Sequence, residues 1–182
     1  MTSLRYIALL VFLCCHVFAQ SHELAVGGGY NYQNSDQGNG VRANLHGWFA
    51  SAQFDLTNMV SLTAEVDNYY GHVQRQGTTQ QNFIAGPQFT FGSEQAKIRP
   101  FAYAQVGDQR SSLGGNVENA FNLQVGAGVQ IKLSDKLSLQ FTPAEYSMAT
   151  PNASPTHSYS AKLGISWTIW KHRDSLSEQW IR

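Results

Sequence analysis

The chain has 182 residues, a length that suits a single domain. Charged residues make up only 13% of it, which is about half the share found in an ordinary soluble domain. Its 12 basic and 12 acidic residues cancel to a net charge of zero. The charge therefore gives no reason to expect a nucleic-acid or strongly acidic partner.

A short N-terminal segment, residues 1–19, has the features of a secretion signal. Arg5 precedes an apolar run over residues 7–18, and the small residue Ala19 suits a cleavage site directly after it. The run is too short to span a bilayer comfortably, which disfavours a membrane anchor. Both cysteines of the chain lie inside this segment, so the mature chain is expected to fold without disulfides.

In the first half of the mature chain, four segments alternate apolar and polar residues. This is the period of a strand whose two faces meet different environments. Aromatic residues such as Tyr30 and Trp48 share the apolar parity of the first two segments, and Glu65 and Asp67 lie on the polar parity of the third. The predicted strands cover residues 23–32, 44–56, 60–70 and 81–91.

Four more strands are predicted in the second half. In the fifth, Arg99 shares a parity with Phe101 and Tyr103, and we assign that parity to the inward face. The sixth is apolar at every odd position and is followed by a very tight turn. Pro143 breaks the parity of the seventh, which predicts a bulge or a sheet edge there. These strands cover residues 98–107, 121–133, 137–148 and 159–170, and no helical period of useful length appears, so the chain is predicted to be all-β.

The connections between these strands alternate in length. Those after the second, fourth and sixth strands are short, whereas those after the first, third, fifth and seventh are long and polar. An eight-stranded antiparallel up-and-down transmembrane β-barrel, with short periplasmic turns and long extracellular loops, explains this alternation. We predict the barrel over residues 20–170 and a periplasmic C-terminal tail over residues 171–182.

Alternation alone does not say which face meets water, since a soluble lipocalin-like lipid-binding barrel would alternate in the same way. The membrane orientation is favoured because the polar face is built mainly of small uncharged residues and because aromatic residues collect near strand ends. The few inward charges are expected to pair across the narrow lumen and plug it, leaving no open general-diffusion pore. These charges are Glu65, Asp67, Arg99, Lys132 and Lys162.

Several short motifs resemble the outer-membrane β-barrel domain family, the eight-stranded relatives of the transmembrane domain of outer-membrane protein A. They include Gly86–Phe89 in "FIAGPQFTF", Pro100–Ala102 in "IRPFAYAQVG" and the pair Glu145-Tyr146. The resemblance implies a bacterial outer-membrane protein that is surrounded by outer-membrane lipids and inserted by the barrel assembly machinery. The last strand also resembles the signal that this machinery recognises, at Lys162, Gly164, Trp167 and Ile169.

Some small outer-membrane barrels are lipid A-modifying enzymes that use a His and a Ser, so each histidine is a candidate catalytic residue. His157-Ser158 is the adjacent His-Ser pair, and it follows a Pro-rich segment where catalytic geometry is hard to hold. We find no metal-ligand spacing or cofactor motif. The sequence therefore favours a non-enzymatic monomer, without cofactor or metal, that is structural or contacts extracellular ligands through its polar loops. A lipid A-modifying enzyme and a soluble lipocalin-like barrel stay open as alternatives.

Overall fold

A computed structural model describes residues 23–37, 40–73, 75–151 and 155–171 of the chain. The predicted signal peptide and all of the predicted tail except Lys171 lie outside this part. None of the described residues forms a helix long and apolar enough to cross a membrane. Eight strands account for nearly all of the described chain: β1 Glu23–Asp36, β2 Arg42–Asp55, β3 Val60–Val73, β4 Gln76–Thr90, β5 Ile98–Leu113, β6 Asn116–Lys132, β7 Leu137–Thr150 and β8 Thr156–Lys171.

Each strand pairs antiparallel with the next, and β1 pairs with β8, so the sheet closes on itself. This confirms the predicted eight-stranded up-and-down barrel. We call the end with the β1–β2, β3–β4, β5–β6 and β7–β8 turns the outer end and the opposite end the inner end. A closed sheet pairs the backbone of every strand with two neighbours, which is what a strand needs in a bilayer.

The apolar parity faces outward and the polar parity faces the lumen. Val125 and Ile165 have 40% and 53% of their surface exposed, whereas Asn122 and Gln124 are completely buried. The inward assignment in β5 is also confirmed, since Phe101 is buried. This orientation is the reverse of a lipocalin-like barrel, whose apolar face would line the interior.

The predicted bulge in β7 is present. The pairing of β7 with β8 shifts register between Thr142 and Glu145, and Pro143 and Ala144 are both exposed. Proline has no backbone N–H to donate to a neighbouring strand, so a bulge accommodates it. Because two successive residues face outward here, Glu145 returns to the lumen beside Thr142, and both are buried.

The polar connections at the outer end differ from the predicted long loops. The strands continue into them, so that only residues 37–41, 74–75, 114–115 and 151–155 lie between paired strands. The two-residue β5–β6 turn uses Gly114 and Gly115, with φ of 57° and 92°, a conformation that fits the twist of a hairpin. Strand pairing satisfies the backbone outside lipid as well as inside it, so many polar residues that were expected in loops extend the paired strands instead.

Candidate functional site

A cluster of charged side chains lies across the lumen around Lys162 of β8. Its Nζ is 2.5 Å from Glu65 Oε1, 3.1 Å from Asp67 Oδ1 and 2.8 Å from Glu145 Oε2. The two acids of β3 share the inward face because they are two residues apart, and the bulge in β7 brings Glu145 to the same level. Lys162 is 4% exposed, and Asp67 and Glu145 are fully enclosed.

Neutral donors from three other positions complete the cluster. Asn31 Nδ2 of β1 donates to Asp67 Oδ1 over 3.1 Å, and Ser160 Oγ of β8 donates to Glu145 Oε1 over 2.6 Å. The Tyr103 hydroxyl of β5 donates to Glu145 Oε2. Buried charges are tolerated when they are both paired and hydrogen-bonded, and this network links β1, β3, β5, β7 and β8 across the lumen.

The cluster carries more acid than base. Three carboxyl groups, those of Glu65, Asp67 and Glu145, face the single ammonium group of Lys162. Loss of that ammonium group would leave three buried acidic groups without a cationic partner, which costs more than the loss of a surface ion pair. Lys162 is therefore the residue on which the charge balance of the cluster depends most.

The structure brings together three of the five charges predicted from the sequence, Glu65, Asp67 and Lys162. Sequence reasoning missed Glu145 as a lumen residue. Simple alternation from the start of β7 would place Glu145 outward. The sequence of β7 nevertheless contains a signal that corrects this assignment. Pro143 marks the point where the parity changes, and counting from the bulge places Glu145 inward.

Arg99 and Lys132 lie near the inner end of the barrel, apart from the Lys162 cluster. Arg99 Nη2 donates to the backbone oxygen of Asn58 over 2.8 Å. Lys132 is 41% exposed and pairs with Asp135 at 3.4 Å. Both residues line a polar cavity of about 70 Å³ that opens at this end. They were predicted to join the plug and do not, because each lies close to the inner-end turn of its own strand.

A cluster of apolar residues lies at the outer end of the lumen. Ala43 and Leu45 of β2 pack there with Tyr69 and Val73 of β3, and Leu113 of β5 packs against them. Leu45 and Tyr69 are completely buried. The sequence offered a signal for this cluster, since Leu45 and Tyr69 are large apolar residues on the otherwise polar parity, but it was not recognised.

Comparison with known proteins fits this architecture. The family model described as "Outer membrane protein beta-barrel domain" matches residues 6–168. The chain belongs to this family. It is therefore an outer-membrane β-barrel protein, and the family places it in the bacterial outer membrane. No curated protein matches it in sequence.

Solved structures of other outer-membrane barrels share this fold. Neisserial surface protein A superimposes with a TM-score of 0.65 at 16% identity, covering 80% of this chain and 96% of the other. OprG from Pseudomonas aeruginosa has a TM-score of 0.56 at 10% identity, covering 87% and 99%. Ail, the attachment invasion locus protein of Yersinia pestis, has a TM-score of 0.51 at 14% identity, covering 82% and 98%. At these identities the similarity shows the fold alone.

The side chains of His157 and Ser158, the candidate pair for a lipid A-modifying enzyme, do not lie together in this outer-membrane barrel. The His157 ring faces outward, and its Nδ1 lies 2.6 Å from the Tyr146 hydroxyl. Ser158 is buried on the lumen side, with its Oγ 3.5 Å from Ser35 Oγ. Neighbouring residues of a strand point to opposite faces, so the two side chains are held apart. Within the described residues, no group of three or more His, Cys, Asp or Glu side chains could hold a metal ion.

The four residues of the predicted assembly signal divide between the two faces of β8. Lys162 and Gly164 face the lumen, and Trp167 and Ile169 are exposed on the lipid side. Gly164 lies in close contact with its neighbours, since a Cβ there would be 2.6 Å from the backbone oxygen of Gly28. Recognition of this strand by the assembly machinery stays a prediction.

Proposed function

We propose that this protein is a non-enzymatic outer-membrane barrel whose lumen is closed to general diffusion and whose outer end is a surface for contacts outside the cell. The observation that carries the proposal is the ion-paired cluster of Lys162 with Glu65, Asp67 and Glu145, which crosses the lumen from three strands. Outer-membrane lipids surround the barrel, and it acts as a monomer.

Closure follows from size as well as from charge. Eight strands enclose an interior about wide enough for side chains to fill, whereas aqueous channels need on the order of sixteen strands. A solute that passed through the lumen would have to separate Lys162 from its carboxylates and then part the apolar cluster around Leu45 and Tyr69. The first step would leave buried charged groups without partners, and the second would expose apolar side chains to water or solute. Both steps are energetically unfavourable.

The outer end supports a role in surface contact. The β5–β6 hairpin projects beyond the neighbouring β7, since β5 and β6 pair from Leu113 and Asn116 onward, while the pairing of β6 with β7 begins only at Phe121. Val117, near the tip, is 51% exposed. A polar hairpin held on a rigid barrel can present side chains to extracellular ligands without affecting the closed lumen.

Conductance in planar bilayers tests the closed lumen. The refolded protein should give no large, stable single-channel current. Glu65→Ala should give small flickering currents, because it removes one partner of the plug. Lys132→Gln is the matched control, since Lys132 lies outside the cluster, and it should behave like the unmodified protein. Large stable currents from the unmodified protein, unchanged by Lys162→Gln, would contradict the proposal.

The non-enzymatic part of the proposal is tested separately. Lipid A from cells with and without the protein should give the same mass spectrum. A loss or gain of an acyl chain that depends on the protein would instead support the lipid A-modifying alternative.

A further inference from the structure

We propose that a small polar cavity on the inner side of the Lys162 cluster binds a monovalent cation, with sodium as the ion that it fits. The binding groups are oxygen atoms of Thr63, Glu65 and Gln105. We call this space the Glu65 cavity. The inference goes beyond the proposed function, because a cation bound here requires neither an open lumen nor a contact outside the cell.

The Glu65 cavity lies between the Lys162 cluster and the inner end of the barrel. Side chains from β2, β3, β4, β5, β7 and β8 line it, and its volume is about 30 Å³. A water-sized particle needs roughly 10–15 Å³. The cavity therefore has room for one or two such particles, but not for an ion that keeps a complete shell of water.

Two buried oxygen atoms that line this cavity accept no hydrogen bond from the described residues. They are Thr63 Oγ1 and Gln105 Oε1, and the two residues are only 5% and 2% exposed. Glu65 supplies a third acceptor, since Lys162 contacts its Oε1 and no described residue donates to its Oε2. Buried polar atoms without a partner are costly, so these oxygens call for a polar ligand.

The chemistry of these three groups favours a cation over a water molecule. Carboxylate and amide oxygens only accept hydrogen bonds, and a hydroxyl oxygen also has lone pairs to offer. A water molecule donates two hydrogen bonds, whereas three acceptors line this cavity. Hard cations bind oxygen atoms of these kinds, so one cation can serve all three. The site differs from one built on several His, Cys, Asp or Glu side chains, because two of its ligands are neutral.

The charge of the neighbouring cluster also favours a cation. Three carboxyl groups face the one ammonium group of Lys162, so one negative charge remains uncompensated even when one carboxyl group is protonated. Lys162 itself lines the cavity. Its Nζ nevertheless lies within 3.1 Å of all three carboxyl groups, so its charge is already compensated by the cluster.

The lining selects a monovalent ion over a divalent one. Glu65 is the one carboxyl group among the lining residues that the structure describes. Calcium takes six to eight oxygen ligands, and magnesium keeps several of its waters. A cavity of about 30 Å³ with one carboxyl group provides neither arrangement.

A cation can reach this cavity from the inner end. Gln53 lines both the Glu65 cavity and the polar cavity that opens at that end. Its Nε2 donates to Asp55 Oδ1 over 2.8 Å, and its Oε1 accepts from Gln88 Nε2 over 3.3 Å. Because Gln53 is held only by these neutral or single hydrogen-bonding groups and by Ser61, its rotation would connect the two cavities without disturbing the Lys162 cluster.

Sodium-dependent unfolding of the refolded mature chain tests this proposal. Urea titrations in zwitterionic vesicles are compared in sodium chloride and in choline chloride at the same ionic strength. Sodium should raise the unfolding midpoint, because a ligand that binds only the folded state stabilises it. The width of the sodium NMR signal, measured without urea, gives a second and direct readout of binding.

The variants separate this cavity from the rest of the lumen. Thr63→Val replaces the hydroxyl with a methyl group of similar size and should weaken sodium binding at least about tenfold, as expected for an interaction with a charged group. Thr90→Val is the matched control. Thr90 is also buried and its Oγ1 also lacks a partner among the described residues, but it does not line the cavity. It should keep the sodium dependence, and heat-modifiable gel migration checks that both variants are folded.

Three outcomes would overturn the proposal. Equal midpoints in sodium and choline, or equal losses of sodium binding in the two variants, would mean that the cavity binds no sodium. A midpoint that responds to pH but not to sodium would show that a proton, and not a cation, balances the charge of the cluster. A larger shift with calcium at the same ionic strength would contradict the choice of a monovalent ion.

Discussion

Replacing Lys162 with Met should destabilise the barrel more than any other single charge removal. The side chain is 4% exposed and lies between 2.5 and 3.1 Å from three carboxylates. Methionine keeps most of the volume but removes the only ammonium group in the cluster. Removing one partner of a buried ion pair costs about 3–5 kcal/mol, and we expect the loss of the Lys162 ammonium group to fall within this range.

Urea titration of the protein in lipid vesicles measures this cost, with tryptophan fluorescence and heat-modifiable gel migration as two independent readouts. Lys132→Met is the matched control. Lys132 is 41% exposed and has one partner at 3.4 Å, so its loss should cost no more than about 1 kcal/mol, as for surface ion pairs. Lys162→Arg, which keeps the charge, should cost less than Lys162→Met.

A double-mutant cycle identifies the cause. Glu65→Gln removes one of the three acidic groups, so in the Lys162→Met background it should recover part of the lost stability, with a coupling of about 0.5–3 kcal/mol. The reasoning is refuted if Lys162→Met costs no more than Lys132→Met. It is also refuted if Glu65→Gln is equally harmful with and without the lysine.

Two further predictions concern the lipid face and the strand contacts. Ile165→Arg, near the middle of β8, should cost about 2–4 kcal/mol in the same titration. Ile169→Arg, near the inner interface, should cost about 0–1 kcal/mol. Equal costs would contradict the depths in the bilayer that are assigned to these two residues. Gly47→Ala should destabilise by about 1–3 kcal/mol or more, because a Cβ there would lie 1.7 Å from the backbone oxygen of Asn68. Gly77→Ala, whose Cβ would meet no atom within 4 Å, is its control and should refold normally.

Much of the barrel could be read from local patterns. The alternation in β6 predicted which residues face outward, and Val125 and Gln124 lie on the expected sides. Even the mixed pattern of β5 was assigned correctly, because Arg99 and Tyr103 share a parity with buried Phe101. Facing is a property of neighbouring residues in one strand, so the chain can reveal it without knowledge of the other strands.

The ends of the strands were harder to predict. Polar residues such as those around Gly114 and Gly115 were expected to form loops, since polarity and glycine favour turns. In the structure the same residues extend two paired strands to a two-residue turn. Pairing with a neighbouring strand decided this, and composition alone does not report whether such a neighbour is present.

The sequence by itself determined the all-β class, the number of strands and the face on which most side chains lie, because these depend on a period of two along one chain. Which charges meet inside the lumen was decided only by the tertiary structure. Lys162 meets Glu65 and Asp67 across the barrel, while Arg99 and Lys132 on the same inward face do not join them. The physical reason is that contacts across a lumen depend on the height of each residue. That height is set by the stagger of the eight strands, which the alternation within a single strand does not show.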